Sequence, residues 1–99
     1  MMVVKHKQEN KKFTVYIEGR IDTNTAPTLL DYLKGIMPDA NELVVDLRDV
    51  DYISSSGLRV FLAAQKTMNE QGSLTLTNVQ DEVMEVFQLT GFTDFLTIV

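Results

Sequence analysis

The sequence predicts an α/β domain, a mixed β-sheet of four to five strands with three to four helices packed against it. Three observations lead there. Apolar residues recur with a period of two in some segments and at three- and four-residue spacing in others, the marks of strands and of amphipathic helices. The segments follow one another as strand, strand, helix, strand, helix, strand, helix, strand within 99 residues. Parallel neighbours need crossover connections, so this order calls for both kinds of pairing in one sheet. Finally, Leu43-Val44-Val45-Asp46-Leu47 is a nearly unbroken apolar run, which suits a strand covered on both faces.

Taken in order, FTVYIEGRI sets Phe13, Val15 and Ile17 against Thr14, Tyr16 and Glu18, a strand with one covered face. Met2 to Val4 supply its antiparallel neighbour through a polar turn near Gln8–Lys12. In DTNTAPTLLDYLKGIM, the residues Asp22, Thr23, Asn24 and Thr25 offer caps, and Pro27 fits a first helical turn, whose amides lack partners anyway. Leu29, Leu30, Leu33, Ile36 and Met37 form the apolar stripe of that helix, and Pro38 ends it. ELVVDL is the next strand. Leu58 to Met68 is a second helix with Val60, Phe61, Ala64 and Met68 inward, closed by Gly72 as a left-handed cap. LTLTNV is a strand, Asp81 opens a helix through Val83, Val86 and Phe87 that stops near Gly91, and the terminal FLTIV is one more strand.

A chain of this length makes one domain, 1–99, in which folding hides roughly 60–65% of the surface of the unfolded chain. It has no cysteine, so neither disulfides nor thiolate metal sites are available. The MMVVKHK start is too short an apolar run for a signal peptide, and no stretch of ~18 apolar residues exists to cross a bilayer, which points to a cytoplasmic protein with no membrane partner. The net charge is −5; Lys5, Lys7, Lys11 and Lys12 against Glu9 put +3 on residues 1–12 and leave −8 on the rest. Such a surface repels a polyanion, so direct nucleic-acid binding is not expected. A phosphate-cradling glycine loop of the G-x-x-x-x-G-K-[ST] kind is missing, and no cofactor is expected.

The stretch DYISSSGLRV, Asp51 to Val60, is the chemically informative one. In parallel sheets, functional loops gather beyond the carboxyl ends of the strands, and these serines follow such an end. One serine there can cap the coming helix. A nucleophile is disfavoured: the elbow motif is G-x-S-x-G, whereas Tyr52, Ile53 and Ser54 stand two before Ser54, Ser55 and Ser56, and the only histidine is His6. A phosphoryl acceptor is the third reading. A helix start has free amides and a positive dipole end, and about −1.5 to −2 added charges change what the surface binds, the more so beside Asp22, Asp46, Asp49 or Asp51. The residues alone leave cap and acceptor both open.

LVVDLRDVDYISSSGLRVFL resembles the signature of the anti-sigma factor antagonists, the bacterial STAS domains, where a hydrophobic strand with an Asp-Leu pair runs through a loop to D-S-S-G-L at a helix start. IEGRIDTNTAPTL is similar to their G-x-[LI]-D-x-x-x-A segment and EVFQLTGFTDFLTIV to their closing L-x-L-x-G-L, so the resemblance spans the chain. It implies a single STAS domain with a STAS-type sheet, a binding module and not an enzyme. The implied partner is an anti-sigma factor serine kinase, which brings ATP and magnesium. The unphosphorylated form binds it and frees the sigma factor, phosphorylation abolishes binding, and a phosphatase resets the switch. The implied acceptor is Ser55, then Ser56, then Ser54, because Ser54 stands where the family often has aspartate. The implied partner-binding residues are Asp22, Ser54, Ser56, Gly57, Leu58 and Leu62. Of these, Gly57 lets a partner backbone approach and the helix begin without crowding, while Leu58 and Leu62 either form an apolar patch beside the serines or belong to the core. A STAS module that binds a small apolar or nucleotide ligand, or acts as a scaffold without phosphorylation, is the alternative, and a serine hydrolase the remote one.

Overall fold

In the computed structural model, which describes residues 1–99, the alternation of Phe13, Val15 and Ile17 is realised in β2 (Lys12–Ile21), whose inward residues are almost fully buried. Its antiparallel neighbour β1 runs over Met2–Glu9, from Met2↔Gly19 to Glu9↔Lys12. The hairpin closes on Asn10 and Lys11, with Asn10 at φ 56°, a left-handed position that asparagine tolerates better than most residues. After α1 (Ala26–Ile36) come β3 (Glu42–Ile53), α2 (Ser55–Asn69), β4 (Ser73–Thr77) and α3 (Asp81–Thr90). The sheet order is β1-β2-β3-β4, with β2, β3 and β4 mutually parallel.

Because the order rises in one direction, right-handed crossovers set every helix on the same side of the sheet. Leu29 and Leu33 of α1, Phe61 and Ala64 of α2 and Val83 and Phe87 of α3, all at 0% exposure, close over Val15, Leu43, Val45 and Leu76 in one core. This corrects the expectation of two covered faces for β3: Val44 and Asp46 are only half-buried, as are Thr14 and Tyr16 beside them on the other face.

Other expectations also shift. β3 does not stop at Leu47 but pairs with β2 as far as Ile21↔Ile53, using twelve residues where β2 uses ten, the difference being absorbed by two register irregularities. β4 ends opposite Asp46, and beyond it Asn78 Nδ2 donates to Asp46 Oδ2 (3.0 Å) and Gln80 Nε2 to the Arg48 carbonyl (2.6 Å). Pro38 does not end α1 outright; a 3-10 turn over Met37–Asp39 carries the chain on, and the stop comes at Ala40, which is extended. A proline fits an early turn position because no amide is needed there. Gly72 is not a left-handed cap. Its backbone lies so close to Asn41 that a Cβ would come within 1.8 Å of that carbonyl oxygen. Gly91 does close α3 in the left-handed region, at φ 77°. After a 3-10 turn (Phe92–Asp94), the terminal FLTIV makes a single parallel bridge, Leu76↔Ile98, in place of a full strand.

Candidate functional site

β2 and β3 end together at Ile21↔Ile53, and one further rung, Ser54 N–H to the Ile21 carbonyl at 2.8 Å, ties the two following loops side by side. Ser54 is extended (φ −94°, ψ 174°); its Oγ accepts from the Gly57 amide at 3.3 Å and its carbonyl accepts from the Leu58 amide at 3.0 Å. Ser54 is therefore the cap of α2. The helix starts at Ser55, three residues before the expected Leu58, with Ser55 exposed and Ser56 half-buried in its first turn. Losing the cap costs about 1 kcal/mol. In thermal denaturation Ser54→Ala is expected to melt roughly 4–8 °C below the parent, and Ser54→Asp, which keeps an acceptor, to melt near it. Equal melting of Ser54→Ala and the parent would show that the cap contributes nothing.

Gly57 and Leu58 face inward. A Cβ on Gly57 would lie 2.6 Å from Ile21 Cγ2 and 2.7 Å from Ile53 Cγ1, and Leu58 is 2% exposed. Of the two places expected for Leu58, patch or core, the core is the one realised, and Gly57 lets the helix begin without crowding, as expected: both residues seat α2 on the strand ends. Leu62 is half-buried and makes no patch with Leu58. The apolar surface beside the serines lies instead between α1 and α2, a groove of about 540 Å³ against Ala26, Pro27, Leu30, Ser56, Arg59 and Ala63. Leu30, at the flank of the α1 stripe, is the only sequence signal for it, since the groove depends on how two helices pack.

Asp22 builds the facing loop. Its Oδ1 accepts from the amides of Asn24 and Thr25, each at 3.0 Å, while the Thr25 hydroxyl donates to the Arg20 carbonyl (2.9 Å) and accepts from the Asp22 amide (2.8 Å). Arg20 Nε stands 3.9 Å from Asp22 Oδ2, and the Arg20 guanidinium stacks on Tyr52 at 4.1 Å. The Thr25 amide first, then the Asn24 amide, the Thr25 hydroxyl and Arg20, hold the Asp22 carboxyl below its ordinary 3.8 against the opposing effect of partial desolvation. A depressed folded-state pKa contributes stability that is present above the unfolded value and lost as pH falls through the folded one. Below pH 3.8 the parent is therefore expected to lose stability more steeply than Asp22→Asn, as read by urea denaturation at pH 2.5 to 6. Parallel curves would sink this assignment.

The four aspartates are not gathered alike. Asp22 flanks the serines and Asp51 lies two residues before Ile53, but Asp49 is about 13 Å and Asp46 about 23 Å back along the strand at ~3.3 Å per residue. Asp46 anchors a different corner, accepting from the Arg48 amide (2.9 Å) and from Asn78. His6 pairs with Val15, six residues and about 20 Å from the end of β2, and is hydrogen-bonded to the Tyr32 hydroxyl. No imidazole thus reaches Ser54, Ser55 or Ser56, which removes the base a serine nucleophile of the triad type needs.

A family model described as the STAS domain matches residues 2–99. The anti-sigma-B factor antagonist of Bacillus subtilis (strain 168) is 36% identical over 93 residues, covering 93% of this chain and 85% of the relative. An anti-sigma factor antagonist from Mycobacterium paratuberculosis superposes with a TM-score of 0.90 at 21% identity, over 99% of this chain and 85% of that one. The Bacillus cell fate determinant SpoIIAA, in its phosphorylated form, superposes with a TM-score of 0.76 at 13% identity, over 98% and 91%. These two structural likenesses establish the architecture.

Proposed function

The chain belongs to the STAS domain family, and from that membership we propose that it is an anti-sigma factor antagonist switched by phosphorylation at Ser55. Unmodified, it docks the serine face on an anti-sigma factor that is also a serine kinase, and the sigma factor is freed. Modified, it lets go, and a phosphatase returns it. The setting is the cytoplasm. The observation that carries the choice of acceptor is the division of labour among the serines: Ser54 commits its hydroxyl to the cap, while Ser55 is exposed one residue later. A relative named as an antagonist of an anti-sigma factor supports the partner class, and the phosphorylated form of SpoIIAA supports the modification.

The chemistry balances with the partner's ATP. The Ser55 oxygen bonds to the γ-phosphorus, the bond from that phosphorus to the bridging oxygen breaks to release ADP, and the hydroxyl proton passes to a base of the kinase. Catalysis belongs to the partner; this chain presents the hydroxyl. The first-turn amides and the positive end of α2 accommodate the phosphate without strain. Partner contacts fall to the half-buried residues Asp22, Ser56 and Leu62 with the α1–α2 groove, and only secondarily to capped Ser54.

Incubation with the cognate kinase and magnesium-ATP, followed by mass spectrometry of the peptide, is expected to find one phosphoryl group on Ser55. A phosphate on Ser56 moves the acceptor by one residue. None on residues 54–56 overturns the switch and favours the second reading, a STAS module that holds a small apolar ligand in the groove.

A further inference from the structure

We infer that Arg59 is the counter-ion of phosphorylated Ser55, a cation carried on the same helix that holds the phosphate against α2. The inference rests on the reading of Ser55 as acceptor. Ser55 and Arg59 are four residues apart on α2 and both are exposed. Residues at that spacing share a helix face, about 5–6 Å apart at Cβ, and helical side chains lean toward the amino terminus, so Arg59 reaches back over Ser55. The planar guanidinium fork matches two phosphate oxygens at once.

Other charges leave this role to Arg59. The two ion pairs of the molecule are Lys12–Glu42 and Arg20–Asp22, so Arg59 has no carboxylate within 4.0 Å. The first turn of α2 has no acidic residue to compete with a phosphate. Arg20, the other cation at this end of the sheet, is held by Tyr52 and Asp22. Lys66 is seven residues beyond Arg59, about 10 Å farther along the helix. Arg59 also forms part of the groove between α1 and α2. Pairing with the phosphate therefore withdraws a cation from the docking face at the same moment as an anion is added, and both changes alter the charge pattern a partner must match.

The test installs phosphoserine at position 55 by genetic encoding, so no kinase is needed, and follows the second ionisation of the phosphate by phosphorus NMR. Free phosphoserine loses that proton near pH 6. In the parent the midpoint is expected to lie about 0.15–0.35 unit below that of Arg59→Gln, the shift an i,i+4 ion pair yields, with Arg59→Lys between them. At 1 M salt, where screening acts within about 3 Å, the difference is expected to shrink. Arg59 is exposed, so the substitutions leave the core alone. Coincident midpoints in the parent and Arg59→Gln overturn the pairing. Failure of the underlying functional reading shows separately, as a kinase that leaves the natural Ser55 unmodified.

Discussion

Ser55→Asp is expected to weaken binding to the anti-sigma factor kinase by roughly ten- to a hundredfold, at ~1.4 kcal/mol per tenfold, while the fold is untouched. Ser55 is exposed at the first position of α2, so a new side chain there meets solvent and not the core. A carboxylate in a first helical turn is favoured by the helix dipole by about 0.3–1 kcal/mol, so melting should hold or rise. Binding suffers instead, because the contact face gains a desolvated negative charge that the partner is not built to pair. Aspartate carries one charge where the phosphoryl group carries about two, so the phosphorylated parent is expected to bind more weakly still. Ser55→Ala keeps the surface neutral, and it should bind like the parent and refuse phosphate. Calorimetric titration of the four proteins, the parent, its phosphorylated form and the two variants, against the kinase decides it. Parent-like affinity of Ser55→Asp with native circular dichroism would mean that charge at this hydroxyl does not govern binding.

The parts of the molecule that are legible in the sequence are those where side-chain periodicity reports burial. Spacing alone assigns Val60, Phe61, Ala64 and Met68 inward, and all four are buried, as are Leu29, Leu33 and Met37 of α1. The second half of β3 is illegible for a physical reason. From Arg48 to Asp51 the alternation lapses at the register irregularities, and what keeps the segment extended is its backbone pairing with β2, which leaves no trace in side-chain pattern. The closing FLTIV has strand composition, yet its backbone meets β4 only around Leu76. Composition does not say how many rungs a ladder will have.

At the site, the serines are legible as a cluster but not individually. Which hydroxyl becomes the cap depends on where β3 lets go of β2, and the rung from Ser54 to Ile21 fixes that one residue before Ser55. Moving the helix start from Leu58 to Ser55 turns Gly57 and Leu58 toward the strand ends, which is why Leu58 falls to the core and not to a surface patch. The groove needs two helices placed relative to one another, information that neither helix carries alone.

Gly57→Ala tests that seat directly and is expected to destabilise the protein by up to about 2 kcal/mol, the overpacking cost of ~1–3 kcal/mol less the helix-propensity gain of ~1 kcal/mol. The added methyl would sit 2.6 Å from Ile21 Cγ2, 2.7 Å from Ile53 Cγ1 and 3.2 Å from the Ile21 carbonyl oxygen. Ile21 is 0% and Ile53 2% exposed, so neither has space to retreat, and the helix start must lift. Lifting it stretches the Ser54 cap and displaces Ser55, so partner affinity should fall together with stability. Gly35 supplies the control. It is exposed near the end of α1, where an added methyl would meet nothing within 4 Å, and Gly35→Ala should stabilise by about 0.5–1 kcal/mol through propensity alone. Urea denaturation separates the two, as midpoints moving in opposite directions at unchanged slope. If Gly57→Ala shifts upward as Gly35→Ala does, then α2 is not clamped on the ends of β2 and β3, and the exposed hydroxyl of Ser55 owes its position to something else.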